Sequence, residues 1–490
     1  MAKKPSLYAL LGVLRSATQE EVRRAYLKAA KRLHPDTNNA PGETELFLDI
    51  QQAYQILSES SRRSAYDATL EPEEEQPIFI NQRILFSRKE IPRLKEAQLA
   101  YVLLELSANE KKEGDNSVPL NICMVLDCST SMKGEKLDVA KATAIQLVNR
   151  LKPQDIFSMV SFSDRAEVTI PATRQAHLQR LEGKMQTIQT SGGTEIFQGL
   201  KAGYEEVRRY ASPNSINHMI LITDGRTYGD EQACYTLAKQ ASEEGIGISG
   251  FGIGSGWNDI FLDHLANITG GSSMFVSRPK DIERLLNDKF SNLSRTYAEN
   301  ITLEYSEQPG VEISYIFRLH PEAEPLAIQS PISLGPILHD EALTVLIELR
   351  IHPTWQNQGP ITLVDGQFDI SAASVQPPPL PVKLKLSLPV KDSPTPEPPP
   401  IAIVQAISKL TLYRIQEKAR KEVAAGQYDK ASSHLQNLAT HLLAQGERNL
   451  AHTIMLEVQH VEQEKSFSEN GEKQIKYGTR ALILPEERKL

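Results

Sequence analysis

Apolar residues follow two different periods along this chain of 490 residues, and the changes between them divide it. Val22, Ala25, Tyr26, Ala29 and Leu33 recur at helical spacing behind Thr18, which with Glu21 three residues on forms a capping box. Pro35 stops that helix. After a polar loop, Phe47, Ile50, Tyr54 and Leu57 line a second amphipathic helix, so the chain opens with a helical hairpin. Residues 78–86 and 99–106 then read as strands by β-propensity and partial alternation. From Asn121 onward, continuous apolar runs at residues 122–126, 157–162, 219–223 and 246–253 alternate with helical patterns. The first pattern places Leu137, Ala140, Ala144, Leu147 and Leu151 on one face, and residues 282–293 form the last. Continuous apolar runs are what buried parallel strands require, so a doubly wound α/β sheet is expected over residues 118–293.

Past residue 294 the helical period disappears. Residues 301–305, 311–317, 343–351 and 382–388 are strand-like with no long helix between them, which predicts a β-sandwich over 294–390. The strands of 78–117 are expected to complete it, so that the α/β domain is inserted in the sandwich or flanked by it. An acidic linker, residues 71–77, separates all of this from the helical unit of residues 1–70. A Pro-rich stretch, 391–400, reads as a stiff extended spacer. Beyond it, Tyr428, Ala431, Leu435, Leu438 and Leu442 mark one helix and Leu450, Ile454, Val458 and Val461 another. They predict a helical hairpin or bundle over 401–465, with the tail of 466–490, basic and then apolar over 473–485, docking on the body.

A net charge of -8 and a pI near 5.9 argue against nucleic acid as a bulk electrostatic partner. Three cysteines permit neither a disulfide framework nor a four-thiolate zinc site. No apolar run approaches the roughly 18 residues of a membrane helix, and no signal-peptide core follows Met1, so a cytoplasmic location is expected.

Candidate chemistry concentrates at three strand ends. Asp127, Ser129 and Ser131 offer a carboxylate and two hydroxyls at alternate positions of a turn, an oxygen-only set that suits Mg²⁺, and Mn²⁺ or Ca²⁺ less strongly. Thr194, in a Gly-rich loop opening a helix, and Asp224, at the end of another strand, lie at what should be the same edge of the sheet. Ligand sites of open α/β sheets occur there. Asp and Ser also cap helices, and the helix beginning near Gly134 offers them that humbler role. The D-x-S-x-S, Thr and Asp set resembles the metal-ion-dependent adhesion site of von Willebrand factor A domains. The resemblance implies that Ser129, Ser131 and Thr194, or a subset, ligate directly, with Asp127 and Asp224 direct or through water. A protein ligand would then add an Asp or Glu as a sixth ligand.

The helical hairpin carries Arg23, Arg24, Lys28, Lys31 and Arg32 on one helix, directly before His34, Pro35 and Asp36. With the Leu7-Tyr8 opening and Arg62-Arg63-Ser64-Ala65-Tyr66-Asp67, this resembles a J domain of the DnaJ type over residues 6–67. That resemblance implies docking of the basic helix on Hsp70 (DnaK in bacteria), with the His-Pro-Asp tripeptide stimulating the partner's ATPase. The Gly/Phe-rich stretch and Cys-x-x-Cys repeats of the best-known J proteins are missing. The reading is a co-chaperone that stimulates a partner's ATPase without being an enzyme itself. No P-loop and no G-x-S-x-G elbow supports the alternative of a metal-dependent hydrolase. A scaffold for a larger assembly is the third reading.

Overall fold

The computed structural model describes residues 7–11, 13, 17–33, 43–69, 80–108, 118–174, 178–227, 229–354, 359–373, 379, 381–395, 397–468 and 470–482. His34, Pro35, Asp36 and the acidic linker of residues 71–77 lie outside them.

The first body is helical: Leu7–Leu11, Gln19–Leu33, Glu43–Leu57 and Ser60–Thr69. Its core is Tyr8, Leu11, Val22, Ile50, Ala53 and Leu57, and Tyr26 stacks on Tyr54 with ring centroids 4.1 Å apart. Arg63 fastens the last helix to the first, donating from Nε to the Tyr8 hydroxyl (3.0 Å) and from a terminal nitrogen to the Ala17 carbonyl (2.7 Å). The Tyr8 hydroxyl in turn donates to Asp67 at 2.6 Å. The closing sequence motif is therefore structural cement for the opening one.

The central body is a six-stranded sheet in the order Ala166–Arg174, Ile156–Phe162, Leu120–Asp127, Ile216–Thr223, Ile246–Ile253, Ser273–Val276. The first pair is antiparallel and the rest are parallel. Strand residues alternate between two cores. Ile122, Met124 and Leu126 meet helices Glu135–Val148 and Asp281–Ser294, while Cys123 and Val125 meet Ile196–Arg208 and Asp259–Ile268. Every residue of Leu120–Asp127 is buried, which explains its unbroken apolar run. The edge strand Ala166–Arg174 was not expected from sequence, because one face is open to water and its apolar pattern is broken. Leu151, expected on the helical face, falls beyond that helix's end at Val148.

A β-sandwich surrounds the insertion point. One sheet runs Ile80–Phe86, Gln98–Ala108, Leu343–Ile351, Val311–His320, Glu324–Pro325; the other runs Ile332–Leu338, Thr296–Ser306, Ile361–Ser371, Val382–Leu388. Gln98–Ala108, which precedes the α/β domain, pairs antiparallel with Leu343–Ile351, which follows it. The α/β domain is thus inserted between strands of one sandwich. Buried polar contacts fix the two together: Arg318, 1% exposed, pairs with Glu324 at 2.9 Å and donates to the Gly271 carbonyl at 2.9 Å. Lys289 reaches Glu322 and the Ser272 hydroxyl, each at 3.1 Å.

The Pro-rich segment is less free than a spacer. Val390–Lys391 pairs with Ile91–Pro92, and Lys89 holds Glu397 at 2.7 Å. The last body has four helices, Ile401–Ala424, Tyr428–Ala444, Arg448–Glu464 and Gly471–Ala481. The hairpin expected from sequence is its middle pair. Ile401–Ala424 opens the stretch 401–465 expected to be helical but shows no stripe of its own in sequence, because its buried residues face two neighbours: Ile403, Ala406, Leu410 and Tyr413 pack on sandwich residues Leu103, Phe317 and Leu346, while Leu412 and Ala419 join the helical core. No single stripe results.

Candidate metal centre

The strand Leu120–Asp127 delivers Asp127 to the edge of the sheet, fully buried, and the chain then turns through Ser129 and a short 3₁₀ turn, Thr130–Met132, into the helix Glu135–Val148. One Asp127 oxygen accepts from the Ser129 N–H (2.8 Å) and the other from the Thr223 hydroxyl (2.6 Å). Ser129 and Ser131 bring their hydroxyl oxygens to 3.0 Å, and the Ser131 hydroxyl donates to Asp224 at 2.6 Å. Thr194 arrives from the loop 191–195, tied to the motif by the Thr130 hydroxyl, which donates to the Gly192 carbonyl at 2.9 Å. Asp164 accepts from the Gly193 N–H at 2.7 Å and holds the other side of that loop. Gly225 leaves room for the approach: a Cβ there would stand 2.7 Å from the Thr194 hydroxyl oxygen.

The five side chains expected to ligate a metal, Asp127, Ser129, Ser131, Thr194 and Asp224, thus converge at one edge of the sheet. Burial pushes the Asp127 carboxyl above the usual range, opposed by hydrogen bonds from Thr223 and Ser129 and reinforced by the nearby charge of Asp224. A buried carboxylate beside a second one is a place where a cation relieves a cost. Among the described residues no three His, Cys, Asp or Glu side chains gather as a metal site, so this set must work with two acids and three hydroxyls. Such donors fit a hard cation that also keeps part of its hydration or takes a ligand from outside. Cys128 takes no part; its thiol points toward the Leu126 carbonyl (3.6 Å), and burial pushes its pKa up to about 12.

Three neighbours were not foreseen. Thr223 reads in sequence as an ordinary β-branched strand residue. Asp164 lies in a loop between two strands. Lys136 had a usable signal: a cation in the first turn of a helix opposes the helix dipole and needs a local anion. It finds one, since its ammonium lies 2.5 Å from Asp224. His218, on the strand leading to Asp224, sits toward the strand's other end, buried with Nε2 at 2.9 Å from the Ser249 hydroxyl.

Of the residues expected to meet Hsp70, Arg23 and Arg24 are exposed on Gln19–Leu33. Arg24 reaches Glu304 of the sandwich at 3.7 Å, both side chains exposed, a pair of the kind that contributes little to stability. Lys28, Lys31 and Arg32 belong to the same helix, but their side chains, like His34, Pro35 and Asp36, are outside the described set.

Comparison with known proteins covers each body in turn. Residues 6–67 match the DnaJ domain, and 121–288 the von Willebrand factor type A domain. The chain joins a J domain to a von Willebrand factor A domain. Residues 401–485 match the Sll0103-like, C-terminal alpha-helical domain. The uncharacterized protein sll0103 of Synechocystis is 27% identical over 275 residues, 54% of this chain and 65% of that protein. Chaperone protein DnaJ 2 of Thermus thermophilus is 49% identical over 67 residues, 14% of this chain and 24% of that protein. The chain therefore spans less than two thirds of the length of either. A solved structure, the von Willebrand factor type A protein from Catenulispora acidiphila, superposes with a TM-score of 0.64 at 15% identity over 83% of this chain and 98% of its own. At that identity it speaks to the fold alone. Among the described residues no helix is long and apolar enough to cross a membrane.

Proposed function

We propose that this protein is an Hsp70 adaptor: its A domain captures a specific protein through a divalent cation, and its J domain presents that protein to Hsp70 and stimulates the ATPase there. The observation that carries the reading is the convergence of Asp127, Ser129, Ser131, Thr194 and Asp224 in a chain that also has a J domain. Mg²⁺ held by these oxygens would supply an electrophilic centre for an Asp or Glu of the captured protein. The chain's own residues prepare for that. Thr223 and the Ser129 N–H fix both oxygens of Asp127, and the Gly192 carbonyl anchors the loop that brings Thr194.

The benefit of the fusion is effective concentration. Once a client is held by the A domain, its encounter with the Hsp70 recruited by the J domain becomes intramolecular, at up to millimolar effective concentration for a short flexible linker. Two variants separate the halves. His34→Gln should abolish stimulation of a cognate Hsp70 ATPase and leave Mg²⁺ binding unchanged; stimulation at the wild-type level would sink the J-domain half. Asp127→Ala should remove Mg²⁺-dependent protein capture while the chain stays folded by circular dichroism. Capture that persists in excess chelator would refute the metal-bridged half.

A further inference from the structure

Asp224 is gripped by two groups at once. Its side chain is 1% exposed; one oxygen accepts from the Ser131 hydroxyl at 2.6 Å and the other from the Lys136 ammonium at 2.5 Å. The same ammonium reaches the Ser131 backbone carbonyl at 3.2 Å. Lys136 thus bridges the second carboxylate of the candidate metal centre and the backbone of one of its hydroxyl residues. It does so from the first turn of Glu135–Val148, where the helix dipole disfavours a positive charge and only a strong local anion retains it.

We propose that Lys136 is a built-in counter-cation that competes with the divalent metal for Asp224 and holds the metal affinity of the empty A domain down. This deepens the adaptor reading and rests on it, since it presupposes that the oxygen set takes a metal. The charge count gives the reason for such a device. Two carboxylates neutralise a divalent ion, so a retained ammonium leaves the filled centre with one net positive charge. The client's carboxylate cancels that charge. Because the client's carboxylate offsets the charge that Lys136 adds, Lys136 weakens the metal more without the client than with it, and by linkage metal and client then each bind better when the other is present. Lys136 would make the A domain close on a metal and a client together, with little metal held while waiting.

The experiment uses the full chain and Mg²⁺ alone as probe, titrated calorimetrically into wild type and into Lys136→Met, Lys136→Gln, Lys133→Met and Asp127→Ala. Lys133 is an exposed lysine three residues away and controls for a general loss of positive charge. Lys136→Met should bind Mg²⁺ at least about tenfold more tightly than wild type, because a unit positive charge a few Å from a divalent ion opposes it by more than that factor even at the dielectric constant of water. Lys133→Met should stay within about twofold, because an exposed charge at that distance is screened. If Lys136→Met does not fold, Lys136→Gln gives the answer, as it keeps an N–H donor for Asp224 without the charge. Mg²⁺ binding in Lys136→Met but none measurable in wild type would support the proposal in its strongest form. Affinity equal to or weaker than wild type in the folded Lys136 variants would overturn it and assign Lys136 to orienting Asp224, with the metal reading intact. Heat no different from Asp127→Ala in wild type and in both Lys136 variants would overturn the metal reading and this proposal with it.

Discussion

Gly225 sets the geometry of the candidate centre by having no side chain. It follows Asp224, and a Cβ there would press on the Thr194 hydroxyl at 2.7 Å. Gly225→Ala should therefore lower Mg²⁺ affinity about tenfold, about 1.4 kcal/mol, with little loss of thermal stability; calorimetry beside a melting curve separates the two. Arg318 is a second residue whose role is wholly local. Its guanidinium is buried against Glu324 and the carbonyls of Gly271 and Leu334. Arg318→Met should cost roughly 3–5 kcal/mol by leaving Glu324 as an unpaired buried acid, measured by denaturant unfolding. At this scale the sequence was legible where chemistry imposes fixed offsets: Asp127, Ser129 and Ser131 stand out because alternate positions of a turn are few and oxygen donors there need a purpose. Thr223 was not legible, since a β-branched residue in a strand already has a sufficient reason to be there. Arg318 was hidden by strand periodicity, which registers that a position is inward but not which backbone carbonyls await it.

Among elements, the C-terminal helix Gly471–Ala481 has the most to say. It brings Lys473, Lys476, Tyr477 and Arg480 onto the α/β domain. Lys476 pairs with Asp259 and Asp263, the latter at 2.8 Å, and Arg480 donates to Asp263 at 3.1 Å. Burial drives the Asp263 carboxyl up, but Arg480 and Lys476 outweigh it and hold that group well below the usual carboxylate range. Lys473 donates to the Ser255 carbonyl and lies over the Trp257 ring, 5.1 Å from its centroid. Between these two residues is Gly256, where a Cβ would stand 2.7 Å from the backbone oxygen of Asp224. The helix thus braces a loop that touches, from behind, the strand end carrying Asp224 of the candidate centre. Arg480→Met should destabilise the protein by roughly 3 kcal/mol and accelerate amide exchange in both 471–481 and 254–257. Exchange raised in the helix alone would mean the loop is supported otherwise. The basic tail expected to dock on the body does so as a helix, although Gly471 and Gly478 are poor helix formers by propensity. A Cβ at either glycine would press on a side-chain end, that of Glu457 at Gly471 and that of Leu450 at Gly478, so these neighbours pack closely against the helix backbone.

For the whole molecule, the junction of sheet and sandwich matters most. A cavity of about 80 Å³ there is lined by His218, Lys289, Glu299 and Glu322, among others. Burial drives the His218 pKa down to about 3, helped by the Lys289 charge and opposed by Glu322, so the imidazole is neutral in the folded protein. Unfolding restores an ordinary histidine with pKa near 6.5. Between those values the unfolded chain binds the extra proton, so stability rises with pH through that window. It is lost on acidification at up to about 1.4 kcal/mol per pH unit below about pH 6.5. His218→Gln, which can still bond Ser249, should flatten that slope in denaturant titrations between pH 4 and 7. The overall plan was legible from periodicity, because parallel strands buried on both faces and half-exposed antiparallel strands leave different traces. Which strands pair across the insertion is set by contacts between Gln98–Ala108 and Leu343–Ile351, distant in sequence, and no local pattern encodes them.

That insertion has a consequence for the order of events as the chain is made. Gln98–Ala108 pairs with Leu343–Ile351 at a lower entropic cost once the intervening chain has been compacted, because closing a longer loop costs more, at about 0.6 kcal/mol for each doubling of its length. Strands Leu120–Asp127 and Ser273–Val276 both belong to a body that completes itself within the loop. Once folded, it shortens the loop that the two sandwich strands must close. The von Willebrand factor A domain is thus expected to fold ahead of the sandwich: a chain truncated after residue 300 and released from the ribosome should already protect residues 120–290 from protease while residues 80–108 are still cleaved.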